Sequence, residues 1–372
     1  MTDNTLNLYC YSITNMTNLK LRFKPVSFSW VALHPQPKGV IQFIGGAFFG
    51  TFGPMFFYRH LLECLFKQGY TIILLPFNFT FDHYAESGFL IREQYKLMPE
   101  LVRMAEVAGY EYKTYLDDSN FSWIGHSIGC KYIALLESFS ALPKKTEQLE
   151  AFIKEIVKQT SGNLSPEKQA KKVQSIVNDL ENLCRDLENQ SAKAKKLTSY
   201  YVNQDVDQSQ TYFDESNVKI NSIFIKSQAS LLLAPVNTGL DSAIKPKALA
   251  DFIIRLGFNV KPTPAETEAL IENSHLFNLL GLVYFPLDNI GKSTREWFFN
   301  QLKKPPEDFR IKLKGGHLRP LGLRLGNIVF NFPDTFSVPP IESVNQRNAE
   351  FEVYVVKLLN YLEQKRQDQK KK

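Results

Sequence analysis

The chain has 372 residues, 44% of them hydrophobic and 22% charged, with a formal net charge of +6. That length allows one large core with insertions, or two domains, and the composition is that of an ordinary folded protein rather than a disordered or fibrous chain. The positive excess is mild and partly terminal (Lys365, Arg366, Lys370, Lys371, Lys372), so it supplies no basic stripe for nucleic acid.

Phe28 to Leu33 is rich in β-formers, and Val40 to Ile44 reads as a second strand. Pro35, Pro37 and Gly39 lie between them, so the two runs predict a hairpin at a sheet edge. The uncharged stretch from Gly39 to Tyr58 has the length of a membrane span. Gly45, Gly46, Gly50, Gly53 and Pro54 interrupt it, so it predicts a strand, a glycine loop and a helix start, and no transmembrane segment. Tyr58, Leu61, Leu62 and Leu65 recur at helical spacing and Gly69 caps them. Tyr70 to Leu75 reads as a parallel strand buried on both faces. A long amphipathic helix is expected from Tyr84 to about Ala108. A short apolar strand then ends at Gly125, and Ile128, Tyr132, Ile133, Leu135, Leu136 and Phe139 open another helix. This alternation predicts an α/β fold, a mostly parallel sheet with helices on both faces.

Residues 141–226 change character. Leu149, Phe152, Ile153, Ile156 and Val157 form one helical stripe; Val173, Ile176, Val177, Leu180, Leu183, Cys184 and Leu187 form a second. They predict an inserted helical hairpin, read either as a solvated pair or as a lid or arm for a protein partner. Ala229 to Pro235 is again a buried strand. Residues 237–278 are helical and expected as a lid-like cover, with a capping box at Thr263-Pro264-Ala265-Glu266. Leu279 to Phe285 and Phe309 to Leu313 are further strands, and Phe351 to Leu362 is a last helix. The core is therefore expected over 25–140 and 227–365, with a disordered basic tail at 366–372.

Cys10, Cys64, Cys130 and Cys184 form no CxxC pair and no cluster with zinc spacing, so neither a metal nor a cofactor is expected. The last three fall on apolar sides of predicted helices and read as core residues in a reducing compartment. Residues 1–25 lack a basic segment followed by an apolar core, which argues against a secretory signal and for a cytoplasmic location.

Between the strand ending at Gly125 and the next helix stands Gly125-His126-Ser127-Ile128-Gly129, the pattern of a nucleophile elbow. A sharp strand-to-helix turn lifts a hydroxyl clear of the sheet, and glycines keep side chains out of that turn. A bare GxSxG arises by chance in about one in ten chains of this length, so the partners of Ser127 matter more than the motif. The order must be Ser, then Asp or Glu, then His, on loops after later strands. Two histidines follow Ser127: His275 lies inside a helical pattern, whereas His317 follows a strand and two glycines. His317 is therefore the expected base, and Asp288, directly after the penultimate strand, the expected acid, with Asp241 as rival. The Ile128 N–H and the Ala47 N–H, from the glycine loop after the second strand, are the expected oxyanion donors. Gly46, Phe48, His126, Asp82 and His83 are candidates to line the substrate site. Asp82 also suits the N-cap of the helix that follows it.

Four segments carry a family resemblance. Phe81-Asp82-His83, Gly125-His126-Ser127-Ile128-Gly129-Cys130-Lys131, Pro262-Thr263-Pro264-Ala265-Glu266 and Gly316-His317-Leu318 resemble an uncharacterised α/β-hydrolase-like family of photosynthetic organisms, domain of unknown function 1350. The elbow and histidine segments are shared by many α/β-hydrolases; the first and third are more particular. The resemblance spans roughly residues 25–330. It implies the α/β-hydrolase fold and the Ser–Asp–His set but no substrate. In a photosynthetic eukaryote it would place the protein in the plastid stroma. The helical insertion is longer than the family leads one to expect.

The residues together predict a serine hydrolase acting on a small-molecule or lipid ester, with peripheral membrane contact left open. An acyltransferase would use the same groups with an alcohol in place of water. A non-catalytic binding protein on this scaffold, docking a partner through 141–226, is the alternative from another class.

Overall fold

In the computed structural model, which describes residues 19–78, 80–204, 214–226, 228–237, 260–274, 278–332 and 334–370, the continuous apolar runs become the middle of an eight-stranded sheet. β1 (Lys24–Val26) and β2 (Ser29–Ala32) pair antiparallel. β3 (Gly39–Ile44) has all six residues buried, because it lies mid-sheet with helices over both faces. Three helices follow: α1 (Ala47–Thr51), α2 (Pro54–Phe57) and α3 (Arg59–Lys67). β4 (Tyr70–Leu74), α4 (His83–Ala108), β5 (Phe121–His126) and α5 (Ile128–Phe139) then repeat the strand–helix alternation.

The strand order is β1-β2-β4-β3-β5 and then β6 (Ala229–Leu233), β7 (Leu280–Tyr284) and β8 (Arg310–Lys312). From β4 onward every neighbour is parallel; β2 meets β4 antiparallel. This is the sheet of an α/β-hydrolase. Segments 28–33 and 40–44, expected as a hairpin, are separated by β4. A strand buried at all six positions needs a partner on each edge, and the crossover through α3 delivers β4 to one of them. β2, with Trp30 half-buried, takes the place beyond. The paired hairpin is instead β1–β2, turning at Ser27 with φ 55°.

One apolar cluster fills the face under α4, α5 and α9 (Lys292–Asn300), and a second fills the opposite face under α3 and α11 (Val353–Lys370). Residues 141–226 contribute α6 (Thr146–Thr160) and α7 (Pro166–Gln204). Their stripes, Leu149, Ile153, Ile156 and Val157 against Val173, Val177, Leu180 and Leu187, join the first cluster, and α7 lies along α4. Each such buried side chain stabilises by roughly 1.5–3 kcal/mol, so tertiary packing fixes the hairpin. α8 (Pro264–Ser274) begins at the predicted capping box. Glu266 N–H donates to Thr263 Oγ1 at 3.3 Å, and Thr263 N–H to Glu266 Oε2 at 2.8 Å. α8 packs on α5 and α6; residues 238–259 and 275–277 of the expected cover, with Asp241 and His275, lie outside the described residues.

Two features escaped the sequence pattern. A small antiparallel sheet of β9 (Leu323–Leu325), β10 (Ile328–Phe330) and β11 (Ile341–Ser343) follows the histidine segment, and α10 (Val344–Arg347) leads from it toward α11. The tail expected to be disordered from 366 is helical through Lys370. Arg366 is buried, pairs with Glu363 at 2.6 Å and donates to Ser119 Oγ at 3.3 Å, which anchors the last turns. Residues 371–372 lie outside the described residues. Among the described residues no helix is long and apolar enough to cross a membrane.

Candidate active site

β5 ends at His126, and the chain turns at once into α5. Ser127 sits at φ 57° and ψ −122°, a conformation that costs a non-glycine residue and marks the turn as imposed by its surroundings. The turn is fastened to the end of β6: Ser127 N–H donates to Leu233 O at 3.1 Å, and Val236 N–H donates to Ser127 O at 3.3 Å. A Cβ on Gly129 would stand 2.8 Å from Gly45 O and closer still to Ile44 O, so only glycine lets the end of β3 approach α5 this closely. That approach places the glycine loop beside the serine, where a Cβ on Gly46 would lie 3.3 Å from Ser127 Cβ.

His317 arrives on the loop after β8, through Gly315 at φ 132° and Gly316. Its Nε2 lies 2.8 Å from Ser127 Oγ, and its Nδ1 lies 3.1 Å from Asp288 Oδ2. Asp288 follows β7, and its other oxygen accepts the Gly291 N–H at 2.8 Å. Burial alone would raise the Asp288 carboxyl; the hydrogen bond and charge of His317, with Gly291 N–H, outweigh it and hold the group below its ordinary value. An ionised Asp288 requires the proton on His317 Nδ1, which leaves Nε2 free to accept from the Ser127 hydroxyl. Asp288 and His317 are buried while Ser127 is half-buried, so the relay is dry and the hydroxyl faces outward. The arrangement can deprotonate a hydroxyl and return the proton to a leaving group.

Ala47 and Ile128 are the first residues of α1 and α5, and first-turn N–H groups have no acceptor within their own helix. Phe48, at 57% exposure, and Phe52, at 60%, stand beside the glycine loop with ring centroids 5.2 Å apart.

Three of the five expected lining residues belong elsewhere. His126 is only 1% exposed; its ring is enclosed behind the serine turn and hydrogen-bonded on both nitrogens. Asp82 caps α4, accepting Ala85 N–H at 3.0 Å. His83 is buried edge-on against Tyr132 with centroids 5.2 Å apart, and burial and the charge of Lys131 push its pKa down to about 3. The start of α4 uses both residues, Asp82 as its cap and His83 through its N–H to Lys261 O. The structure also shows residues that carried no motif. Tyr58 reads as one more apolar position on a helix, yet its hydroxyl reaches the glycine loop. Asp334 clamps the histidine loop by accepting Leu318 N–H. Among the described residues no group of three or more His, Cys, Asp or Glu side chains could hold a metal.

The family model described as a protein of unknown function (DUF1350) matches residues 22–219, more than half of the chain. The chain belongs to the DUF1350 family. The match ends short of residue 330, so Pro262–Glu266 and Gly316–Leu318 of this DUF1350 protein lie beyond it. No curated protein matches it. Among solved structures it is similar to esterase B from Lactobacillus rhamnosis with bound inhibitor, at 10% identity over 99% of this chain and 97% of that one, with a TM-score of 0.44. It is also similar to butyrate-bound esterase 2 from Thermogutta terrifontis, at 12% identity over 91% and 94% of the two chains, with a TM-score of 0.39. At that distance the activity of this DUF1350 protein has to be argued from its own residues.

Proposed function

We propose that this protein is a serine hydrolase that cleaves a carboxylic ester. The observation that carries the proposal is the 2.8 Å approach of His317 Nε2 to Ser127 Oγ, between residues 190 positions apart in sequence. In this reading Ser127 Oγ attacks the ester carbonyl carbon while His317 Nε2 takes its proton. Asp288 holds the ring in the required tautomer and stabilises the imidazolium that forms. The carbonyl oxygen, now an anion, receives the N–H groups of Ala47 and Ile128. His317 then protonates the departing alkoxide, and a water repeats the cycle against the acyl-serine. The exposed rings of Phe48 and Phe52 beside the oxyanion position support an apolar acyl or alcohol part in the substrate.

A fluorophosphonate probe tests the chemistry. The folded wild type is expected to be labelled at Ser127, and Ser127→Ala to lose the label. A folded, unlabelled wild type overturns the proposal. Esters of graded length test the substrate class: turnover should rise from acetyl to octanoyl esters, and Phe48→Ser should remove that preference. Equal rates along the series would reject the apolar site.

A further inference from the structure

His126 is the one polar side chain of the elbow that the proposed chemistry leaves unused. Its two nitrogens have partners on different loops. Nε2 lies 2.9 Å from the backbone carbonyl of His317, and Nδ1 lies 2.7 Å from the Tyr58 hydroxyl. The Tyr58 hydroxyl in turn accepts the backbone N–H of Gly46 at 2.8 Å. Only one arrangement of protons satisfies this chain. A carbonyl can only accept, so Nε2 carries the proton; Nδ1 then presents a lone pair, and the Tyr58 O–H donates to it. Tyr58 is fully buried and His126 is 1% exposed, so water does not compete for these bonds. Burial brings His126 down to about 3, which keeps it neutral in this tautomer, and pushes the Tyr58 hydroxyl well up.

The chain joins three loops that meet at the site. One follows β3 and carries Gly46 and Ala47, one follows β5 and carries Ser127, and one follows β8 and carries His317. Asp288 fixes the ring of His317 from one side; His126 fixes its backbone from another. Tyr58 also orients the Gly45–Gly46 peptide, one residue before the Ala47 N–H. We propose that Tyr58 and His126 are positioning residues that hold the Gly45–Gly46 peptide and the His317 backbone in register with Ser127. The inference rests on the hydrolase reading, and its tests separate the two.

The variants are chosen to remove single bonds. Tyr58→Phe deletes only the hydroxyl. His126→Leu deletes both bonds, whereas His126→Gln keeps an amide N–H near the place of Nε2–H. With a chromogenic ester, kcat should fall by about 10- to 100-fold in Tyr58→Phe and His126→Leu with KM little changed, because misplacement of a reacting group by about 1 Å costs on that order. His126→Gln should recover most of the loss. The rate of fluorophosphonate labelling should follow kcat, while circular dichroism confirms the fold. Independently of activity, imidazole ¹⁵N spectra of the wild type should show His126 as the Nε2–H tautomer and without titration at pH 5.5. Tyr58→Phe should keep that tautomer, which the His317 carbonyl still requires, and shift the Nδ1 resonance as its donor is lost. Unchanged kcat in both Tyr58→Phe and His126→Leu overturns the positioning role, as does a His126 that is protonated or Nδ1–H at pH 6. A folded wild type that takes no label overturns the hydrolase reading instead, while the tautomer measurement still reports whether the network exists.

Discussion

The nearest groups to the scissile bond in the proposed reaction are three side chains, and Asp288 can be tested apart from the other two. Asp288 does no bond-breaking; it sets which nitrogen of His317 holds the proton. Asp288→Asn leaves the shape intact but presents an amide that can donate to Nδ1 and so favours the wrong tautomer. Turnover is expected to fall by about four orders of magnitude while substrate binding stays near wild type, as read by kcat and KM with a chromogenic ester. A loss of less than tenfold would remove Asp288 from the relay. Gly129 carries a different kind of constraint. An added methyl would meet backbone oxygens of Ile44 and Gly45, and backbone cannot swing aside as a flexible side chain can. Gly129→Ala should therefore cost about 1–3 kcal/mol in urea unfolding and slow probe labelling, since relief comes only by moving the glycine loop away from Ser127.

The loop that brings His317 to the serine is held by an element the sequence did not announce. Arg319, Glu342, Arg347 and Glu352 are all buried beneath the small sheet and the start of the last helices. Arg347 pairs with Glu352 at 2.9 Å and donates to the carbonyl of Arg319 at 2.6 Å, two residues beyond His317. Arg319 pairs with Glu342 at 2.5 Å. Removing one member of such a buried set strands the others, so Arg347→Met should destabilise the protein by about 3–5 kcal/mol in chemical denaturation. The double variant Arg347→Met with Glu352→Leu should recover part of that loss, because the stranded carboxylate goes too. Additive losses would show that the pair is not coupled. This element also marks the boundary of what the sequence makes legible. Gly39–Ile44, Tyr70–Leu74 and Ala229–Leu233 could be read because strands buried on both faces leave a mostly apolar signature without charge, here broken only by Gln42, Thr71 and Ser230. Ser127, Asp288 and His317 could be read because each stands directly after such a strand or beside glycines. The three-residue strands β9 to β11 leave no period to detect, and charges scattered over residues 319–352 show their pairing only in three dimensions. The place of β4 between β2 and β3 was hidden for a related reason: a crossover sets strand order, and composition does not record it.

At the scale of the whole molecule, the segments that carry the family resemblance meet at two places. Gly125–Lys131 and Gly316–Leu318 meet at the serine, although Lys131, at the far end of the first, reaches the other place. Phe81–His83 and Pro262–Glu266 meet at a junction of α4, α5, α8 and the inserted hairpin. There His83 N–H donates to Lys261 O and Lys261 N–H to Phe81 O, both at 2.7 Å. Lys131 Nζ donates to Pro262 O at 3.1 Å, and Lys172 of α7 reaches Glu266 at 2.5 Å. Gly88 completes the seat, since a Cβ there would lie 2.5 Å from Leu183 of α7. The hairpin is therefore built onto the same junction that starts α4 and α8, and its apolar stripes are spent inside the molecule. The junction holds two basic groups whose pKa values burial lowers: His83, to about 3, and Lys131, to about 7. In the unfolded chain a histidine titrates near 6.5. Between pH 6.5 and about 3 the unfolded chain therefore binds a proton at residue 83 that the folded chain refuses, and this part of the stability is lost as pH falls through that window. Substitution isolates it from every other titrating group. His83→Phe keeps a ring against Tyr132 and cannot take up a proton. Measured by urea unfolding, the stability of the variant relative to wild type should be constant above pH 7.5. It should then move in the variant's favour by up to about 1.4 kcal/mol per pH unit as the solution is acidified below 6.5. A difference that stays flat from pH 7.5 to pH 4.5 would mean that His83 titrates in the folded protein as it does in the unfolded chain, and the junction would then be open to water.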